Sequence, residues 1–175
     1  MRVHSLPIWA TARVLLVAGA GLVLAGCAGI KMGGPALDLP SYLAGDVYLG
    51  TVEFDRSTAL VDGGEAFRDG FESQFQWTVG DCARGHRTLD LRVRLDDVRR
   101  VQPIVAAMKG SANHAAGLVE FVDPSTYEVV GRYQVAVDVE MGSGFAALLT
   151  DSYAEIGEAF GRELCRRAAL IRPPG

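Results

Sequence analysis

The chain has 175 residues, of which 49% are hydrophobic and 22% are charged, and its 21 acidic side chains outnumber the 17 basic ones. This length fits one globular domain. The net charge of −4 argues against non-specific binding to nucleic acid, which requires a basic face.

The first 26 residues have the pattern of a secretory signal peptide. Arg2 and Arg13 are their only charged residues, and an eleven-residue apolar run, Val14–Leu24, is followed by two small residues. Eleven residues are too few to span a bilayer as a helix, which takes about 20. We therefore expect residues 1–26 to be removed on export. The remaining 149 residues would carry 15 basic and 21 acidic side chains, a net charge of −6.

The tetrapeptide Leu24-Ala25-Gly26-Cys27 resembles the lipobox of bacterial lipoproteins. This resemblance implies that the chain is cut just before Cys27 and that this cysteine is acylated on its thiol and on its new amino group. Several acyl chains, at about 0.8 kcal/mol per buried methylene, would hold a small domain on the lipid bilayer. By the family's sorting rule, Ala28 favours the periplasmic face of the outer membrane over the inner membrane. The alternative is a signal peptide without lipidation, in which Cys27 is incidental.

The segment after the lipobox has the composition of a linker. Residues 28–45 contain four glycines and two prolines, with only Lys31 and Asp38 charged. We therefore expect three parts: a signal peptide over 1–26, a lipidated tether over 27–45, and a single periplasmic domain over 46–172.

The cysteine count predicts a disulfide. If Cys27 is acylated, Cys82 and Cys165 remain, which is an even number in an oxidising compartment. A bond between them would close a loop of about 84 residues and stabilise the fold by roughly 4–5 kcal/mol at most. Two separate buried thiols are the alternative.

The domain begins with a predicted strand and helix. Val47–Phe54 is rich in β-branched and aromatic residues, and Gly50 within it indicates close packing or a bulge. Asp62 and Glu65 form a variant of the capping box at a helix start. Phenylalanines then recur every four residues, which predicts an amphipathic helix that ends near Val79-Gly80 and buries Phe67, Phe71 and Phe75.

Three further strands are predicted. Leu89–Asp96 and Tyr127–Glu140 alternate between apolar and polar residues, which is typical of an antiparallel sheet covered on one side only. Tyr127 belongs to the apolar side of this pattern. Gly117–Val122 is a shorter strand, and the following turn is expected to be capped by Asp123.

The last predicted helix runs from Ser143 to about Leu170, with a break indicated near Asp151-Ser152. A line of small residues follows one side of it: Ala154, Gly157, Gly161, Cys165 and Ala168. Small residues at this spacing allow another backbone to approach, which favours the disulfide if Cys82 ends the neighbouring helix. The elements predict an α+β two-layer sandwich, a mostly antiparallel sheet in the order β-α-β-β-β-α with two helices on one face.

This order, with its phenylalanine-striped first helix, resembles small periplasmic domains of outer-membrane lipoproteins. These include uncharacterised families and the periplasmic domain of curli- and polysaccharide-secretion lipoproteins. The resemblance implies a non-catalytic lipoprotein that takes part in an envelope assembly, either with another envelope protein or with copies of itself. The chain lacks a recognisable membrane-inserting hairpin of the channel-forming members.

No catalytic or cofactor-binding motif is recognisable, so we expect neither an enzyme nor a cofactor. His86 and His114 lack metal-ligand spacing. Cys82 and His86, with Asp81 and Asp90 nearby, could be drawn as a metal site, but a loop histidine beside a structural cysteine is the simpler interpretation. An enzyme would require one of the two histidines to lie in a cleft with an acid.

The polar side of the predicted sheet is the candidate functional surface. A solvated face with weak cross-strand ion pairs is the simpler interpretation. The functional one is a docking face, whose candidate residues are Arg92, Arg94, Arg132 and Gln134. The alternative function is a carrier of an apolar ligand between helices and sheet, which would require a cavity among Phe67, Phe71, Phe75 and Phe160.

Overall fold

The computed structural model describes residues 33–55, 67–99, 112–140 and 152–171. Its elements follow the predicted order β-α-β-β-β-α. They are β1 (Val47–Phe54), a π-helical turn (Arg68–Glu72) that continues directly into α1 (Ser73–Cys82), β2 (Arg87–Arg99), β3 (Ala112–Val122), β4 (Val129–Glu140) and α2 (Ser152–Arg167). The predicted α+β class is confirmed.

The four strands form one sheet in the order β1-β2-β3-β4. The pairs β2–β3 and β3–β4 are antiparallel, whereas β1 and β2 are parallel. Parallel neighbours need a crossover connection, and the segment that contains α1 supplies it. The sheet is therefore mostly antiparallel, as predicted.

A bulge interrupts β1 where Gly50 lies against β2. The register with β2 shifts between Leu49 and Val52. A side chain at Gly50 would collide with Asp90, whose Oδ1 accepts a hydrogen bond from the Thr51 amide at 2.8 Å. The structure thus confirms the prediction of a bulge and a close approach at this glycine.

A single core lies between the helices and one face of the sheet. The predicted alternation of β2 is confirmed, since its four apolar residues are buried and alternate with more exposed ones: Leu89, Leu91, Val93 and Leu95. The predicted phenylalanine stripe of the first helix is also buried. Each such side chain stabilises the fold by about 1.5–3 kcal/mol relative to exposure.

The helix bounds differ from the predicted ones. The first helix continues to Cys82 rather than ending near Val79-Gly80, and its predicted start at Asp62 lies outside the described residues. The last helix ends at Arg167, and its predicted portion over 143–151 also lies outside them. Its end is a Schellman motif, in which Leu170 N–H donates to Cys165 O at 3.0 Å while Ala169 adopts a positive φ of 49°.

Two of the strand bounds also need correction. β3 begins at Ala112 rather than Gly117, and β4 begins at Val129 rather than Tyr127. Tyr127 has a φ of 59° and donates its amide to Asp123 O at 2.8 Å, so it closes the turn. Because this backbone conformation removes it from the strand, its side chain is 73% exposed instead of facing the core.

The folded domain begins earlier than the linker composition predicted. Leu37 exchanges main-chain hydrogen bonds with Arg132 on β4, and Leu39 and Leu43 are buried in the core. The predicted boundary between residues 45 and 46 is therefore too late. Glycine and proline content does not reveal that Leu39 and Leu43 pack in the core or that the main chain of Leu37 pairs with β4.

Candidate functional site

The four predicted docking residues lie on the face of the sheet opposite the helices, which we call the outer face. Arg92 and Arg94 alternate along β2 with buried core residues, and Arg132 and Gln134 do so along β4. Strand β3 lies between the two pairs. The structure therefore brings the four residues onto one surface, but their role in docking stays a prediction.

One row of register partners crosses all four strands with alternating charge. It consists of Glu53 on β1, Arg92 on β2, Glu120 on β3 and Arg132 on β4. Opposite charges directly across strands contribute about 0.2–1 kcal/mol each. The formal charges of the row cancel, so the row attracts neither anions nor cations strongly.

The Glu120–Arg132 pair is buried within this row. Glu120 is 2% exposed and the Arg132 side chain 16% exposed, and Arg132 Nε donates to Glu120 Oε1 at 2.7 Å. Arg132 Nη1 also donates to Pro35 O at 3.2 Å. Arg132 therefore serves an internal contact rather than presenting a free cation.

Sequence reasoning missed Glu120. The available signal was a single acid between Val119 and Phe121 in the otherwise apolar predicted strand Gly117–Val122. A buried carboxylate requires a partner. That position therefore pointed to an arginine on a neighbouring strand.

The neighbouring row contains Arg94, Leu118 and Gln134 as register partners. Arg94 Nε donates to Asp96 Oδ1 at 2.8 Å on the same strand. Leu118 is buried between its long neighbours, and Gln134 is exposed. The main-chain oxygen of Gln134 accepts a hydrogen bond from Arg167 Nη1 at 2.9 Å, which ties the end of α2 to β4.

The histidines each contact an acid. His114 Nδ1 lies 2.7 Å from Asp138 Oδ1, and its Nε2 lies 3.9 Å from Asp97 Oδ2. His86 Nδ1 lies 2.9 Å from Asp46 Oδ1 on an exposed loop. Within the described ranges, no three His, Cys, Asp or Glu residues cluster in a way that could hold a metal ion.

The predicted disulfide between Cys82 and Cys165 is confirmed, with the Cα atoms 6.2 Å apart. Because Cys82 is bonded to Cys165, it has no free thiolate for the metal site considered above, which combined Cys82 with His86. Glycines of α2 let the helices approach closely enough for the bond. A Cβ on Gly157 would lie 2.5 Å from Phe71 O, and one on Gly161 would lie 3.0 Å from Thr78 Cβ.

The space required for an apolar ligand is filled by aromatic rings. The pairs Phe67–Phe71, Phe71–Phe75, Phe71–Phe160 and Phe75–Phe160 have ring centroids 5.0, 6.1, 5.8 and 5.9 Å apart. All four side chains are buried. The condition for the carrier alternative is therefore not met among these residues.

Among the described residues, two shallow cavities lie elsewhere, and neither His86 nor His114 lines them. One, of about 380 Å³, is lined by Gly45, Asp81, Cys82, Arg84, Leu170 and Ile171. The other, of about 300 Å³, lies beside the β3–β4 turn and includes Tyr42, Arg87 and Asp123. Arg87 stands over the Tyr42 ring, 5.7 Å from its centroid.

Asp123 caps its own turn, as predicted. Its Oδ1 accepts from the Ser125 amide at 2.8 Å, from the Ser125 hydroxyl at 2.5 Å and from the Thr126 amide at 3.3 Å. These hydrogen bonds, with the Ser125 hydroxyl contributing most, lower the pKa of the Asp123 carboxyl. The residue therefore has a structural role in the hairpin.

A buried tyrosine holds the N-terminal segment. Tyr133 Oη accepts a hydrogen bond from the Leu39 amide at 2.7 Å. Burial raises the pKa of the Tyr133 phenol, and the nearby Asp38 charge raises it further, against the opposing effect of the Leu39 amide. Burial thus favours the neutral phenol, whose oxygen accepts the hydrogen bond from the Leu39 amide.

Cys27 lies outside the described residues, so its acylation stays a prediction. Among the residues that the structure describes, no helix is both long and apolar enough to cross a membrane.

No protein-family model and no curated protein matches the chain. The solved structures that align with it include two dodecamers of PelC from Paraburkholderia phytofirmans, one of them a point variant. Each is 15% identical to this chain and covers 74% of it. The variant aligns over 92% of its own length with a TM-score of 0.38. The other structure aligns over 93% of its own length with a TM-score of 0.36. TM-scores below 0.5 do not establish a common fold, so this likeness carries no conclusion about function or assembly.

Proposed function

We propose that this protein is a non-catalytic lipoprotein, anchored by acylated Cys27 to the periplasmic face of the outer membrane, whose α+β domain takes part in an envelope assembly. The observation that carries the proposal is the Cys82–Cys165 disulfide. Structural disulfides persist in oxidising compartments and are rare in the cytosol of mesophiles. The bond therefore supports export, in agreement with the signal-peptide pattern of residues 1–26.

The packing of the domain supports a role in assembly over a role as a carrier. Its core is filled by the phenylalanine side chains, so the described residues offer no apolar chamber between helices and sheet. The outer face carries polar side chains along β2 and β4, and Leu118 and Glu120 of β3 are buried between them. On it Arg92 is half-buried and Gln134 is exposed, whereas Arg132 is engaged with Glu120 and Pro35. Arg92 and Gln134 are therefore the residues through which we expect a protein partner, or a second copy, to dock.

Fractionation tests the anchor. The Cys27→Ala variant should appear in the soluble periplasm, because the acidic mature domain has no evident attraction to anionic headgroups. The Cys82→Ala/Cys165→Ala double variant is the control, since it removes two cysteines but keeps the lipobox. A Cys27→Ala protein that remained in the membrane fraction would reject lipid anchoring.

Crosslinking in the native envelope tests the assembly role. The double variant Arg92→Ala/Gln134→Ala should reduce the crosslinked products of the wild-type protein severalfold. Gln76→Ala/Arg84→Ala is the matched control, because it changes the same residue types at exposed positions away from the outer face. Unchanged products in the outer-face variant would argue against docking there. Arg132 is unsuitable for this test because its removal would leave buried Glu120 unpaired.

A further inference from the structure

Three consecutive residues of β4 hold the N-terminal segment. Leu39 packs against Gly131, where a Cβ would lie 2.9 Å from Leu39 Cδ2. Leu37 N–H donates to Arg132 O at 3.0 Å, and Arg132 N–H donates to Leu37 O at 2.6 Å. Tyr133 Oη accepts from the Leu39 amide at 2.7 Å. We call this contact of residues 35–39 with Gly131, Arg132 and Tyr133 the β4 clamp.

The clamp extends toward the start of the chain through the Arg132 side chain. Glu120 accepts from Arg132 Nε at 2.7 Å and so orients the guanidinium, whose Nη1 donates to Pro35 O at 3.2 Å. Gly34 has a φ of 134°, and a Cβ there would lie 2.5 Å from Arg132 Nη1. A side chain at this position would therefore disturb both the backbone and the guanidinium.

The clamp shortens the part of the chain that can act as a tether. Gly45 lies 18 positions after Cys27, and a chain of that length extends to about 65 Å at most. Pro35 lies only eight positions after Cys27, and a chain of that length extends to about 29 Å at most. A domain of about 140 residues has a radius of gyration of about 14 Å and is therefore roughly 37 Å across. The shortened tether is shorter than the domain, so the domain cannot turn its β4 edge fully away from the membrane while Cys27 is anchored.

We propose that the β4 clamp docks this domain onto the bilayer with a fixed side, so that the β4 edge of the sheet faces the phospholipid surface and the β1 edge faces away. This inference rests on the proposed acylation of Cys27. The sheet order places β1 three strand spacings from β4, or about 14 Å farther from the membrane. The β1 edge and the adjoining part of the outer face are then the parts most accessible to an envelope partner.

Energy transfer to labelled lipid measures which edge is nearer. The full-length acylated protein is reconstituted in vesicles of phosphatidylethanolamine and phosphatidylglycerol that carry an acceptor dye on their headgroups. A donor dye is attached through an encoded azide at exposed Ala136 on β4 or at exposed Tyr48 on β1. Because of the separation of the edges, the transfer rate should be at least about twofold higher from Ala136 than from Tyr48.

Variants of the clamp decide its role. Leu37→Pro removes the amide that bonds to Arg132 O but leaves the Glu120–Arg132 pair intact, and Gly34→Ala disturbs the approach to the guanidinium. Both should bring the Ala136 to Tyr48 ratio toward one, as should an insertion of ten glycine and serine residues after Ala28. Arg162→Ala is the matched control, because it removes an exposed arginine of α2 that pairs with Glu158 and lies outside the β4 clamp.

The outcomes separate the two proposals. Wild-type protein that is bound to vesicles but gives equal transfer from both positions would overturn the orientation while leaving lipid anchoring intact. A raised ratio that persists in Leu37→Pro and Gly34→Ala would overturn the clamp as its cause. Failure of the wild-type protein to bind vesicles any better than Cys27→Ala would overturn the proposed anchor and the orientation with it.

Discussion

Arg132 on β4 donates from Nε to Glu120 Oε1 on β3 at 2.7 Å, and Glu120 is 2% exposed although it lies on the outer face of the sheet. The same guanidinium binds the carbonyl of Pro35. A single buried ion pair thus joins the central sheet to the segment that leads to the predicted lipid anchor. Breaking such a pair by removing one partner typically costs about 3–5 kcal/mol, because it leaves a buried charge uncompensated.

Glu120→Gln should lower the free energy of unfolding by about 2 kcal/mol, since the hydrogen bond to Arg132 loses its charge. Urea denaturation of the soluble domain measures this loss. Glu53→Gln is the matched control because it occupies the same row at an exposed position, where we expect a change within about 0.5 kcal/mol. Equal losses in the two variants would show that burial of Glu120 is irrelevant to stability.

Tyr133→Phe should lower the free energy of unfolding by about 1–3 kcal/mol, because the Leu39 amide loses its buried acceptor. Tyr127→Phe, at an exposed turn position, should be nearly neutral. Thermal unfolding at several denaturant concentrations measures the free energy of unfolding of both variants. A Tyr133→Phe variant as stable as the wild-type protein would mean that a water molecule replaces the phenol as the acceptor of the Leu39 amide.

The Tyr133 phenol also predicts a dependence on high pH. Burial raises its pKa above the ordinary value of 10.0, so the unfolded chain ionises first. Its contribution to stability is therefore complete below pH 10.0 and is lost as the pH rises through the folded-state pKa. Ultraviolet titration should show a late ionisation in the wild-type protein that is absent from Tyr133→Phe.

Two glycine-to-alanine changes should have opposite signs. Gly157→Ala places a Cβ 2.5 Å from Phe71 O, so the helices must separate, and we expect a loss of about 1–3 kcal/mol. Gly80→Ala meets only Leu49 Cδ2 at 3.7 Å, and its helical position should gain about 0.5–1 kcal/mol. Denaturation midpoints that moved in the same direction would contradict the close approach of the two helices.

Glu163 should titrate far below an ordinary glutamate. Hydrogen bonds from Arg166 and Arg167 lower the pKa of its carboxyl from 4.5 to about 2. Its contribution to stability is present above pH 4.5 and is lost as the pH falls toward 2; because its partners Arg166 and Arg167 are exposed to solvent, we expect it to be under about 1 kcal/mol. Carboxyl NMR titration measures the midpoint, which should rise in Arg166→Ala. A wild-type midpoint near 4.5 would contradict the paired geometry.

Removal of the disulfide should destabilise the domain without changing its fold. The Cys82→Ala/Cys165→Ala variant should lose about 2–4 kcal/mol, since the bond closes a loop with a sequence separation of 83. Calorimetry in the presence and absence of reductant measures this loss. Reductant should lower the stability of the wild-type protein and leave that of the variant unchanged.

Much of the fold could be predicted because periodicity reports which side of an element is buried. The alternation over Leu89–Leu95 and the spacing of Phe67, Phe71 and Phe75 each matched the buried side. The line of small residues on the last helix predicted the helix contact that carries the disulfide. These patterns are local, because the spacing of apolar residues along a strand or helix directly decides which of its sides is buried.

The misplaced elements are those whose position depends on a distant partner. Tyr127 continues the apolar alternation, but the turn closed by Asp123 removes it from β4. Leu37 lies in a stretch with the composition of a linker, yet it bonds to Arg132, 95 positions away in the sequence. Local composition contains no information about such partners.

The sequence by itself determined the α+β class, the order of the elements and the buried side of β2 and of the first helix, because these follow from local periodicity, and its cysteine count favoured the pairing of Cys82 with Cys165. Only the tertiary structure decided that Glu120 is buried against Arg132 and that residues 35–39 belong to the folded domain. The physical reason is that burial of a charge and capture of an extended segment depend on atoms brought together from across the sheet.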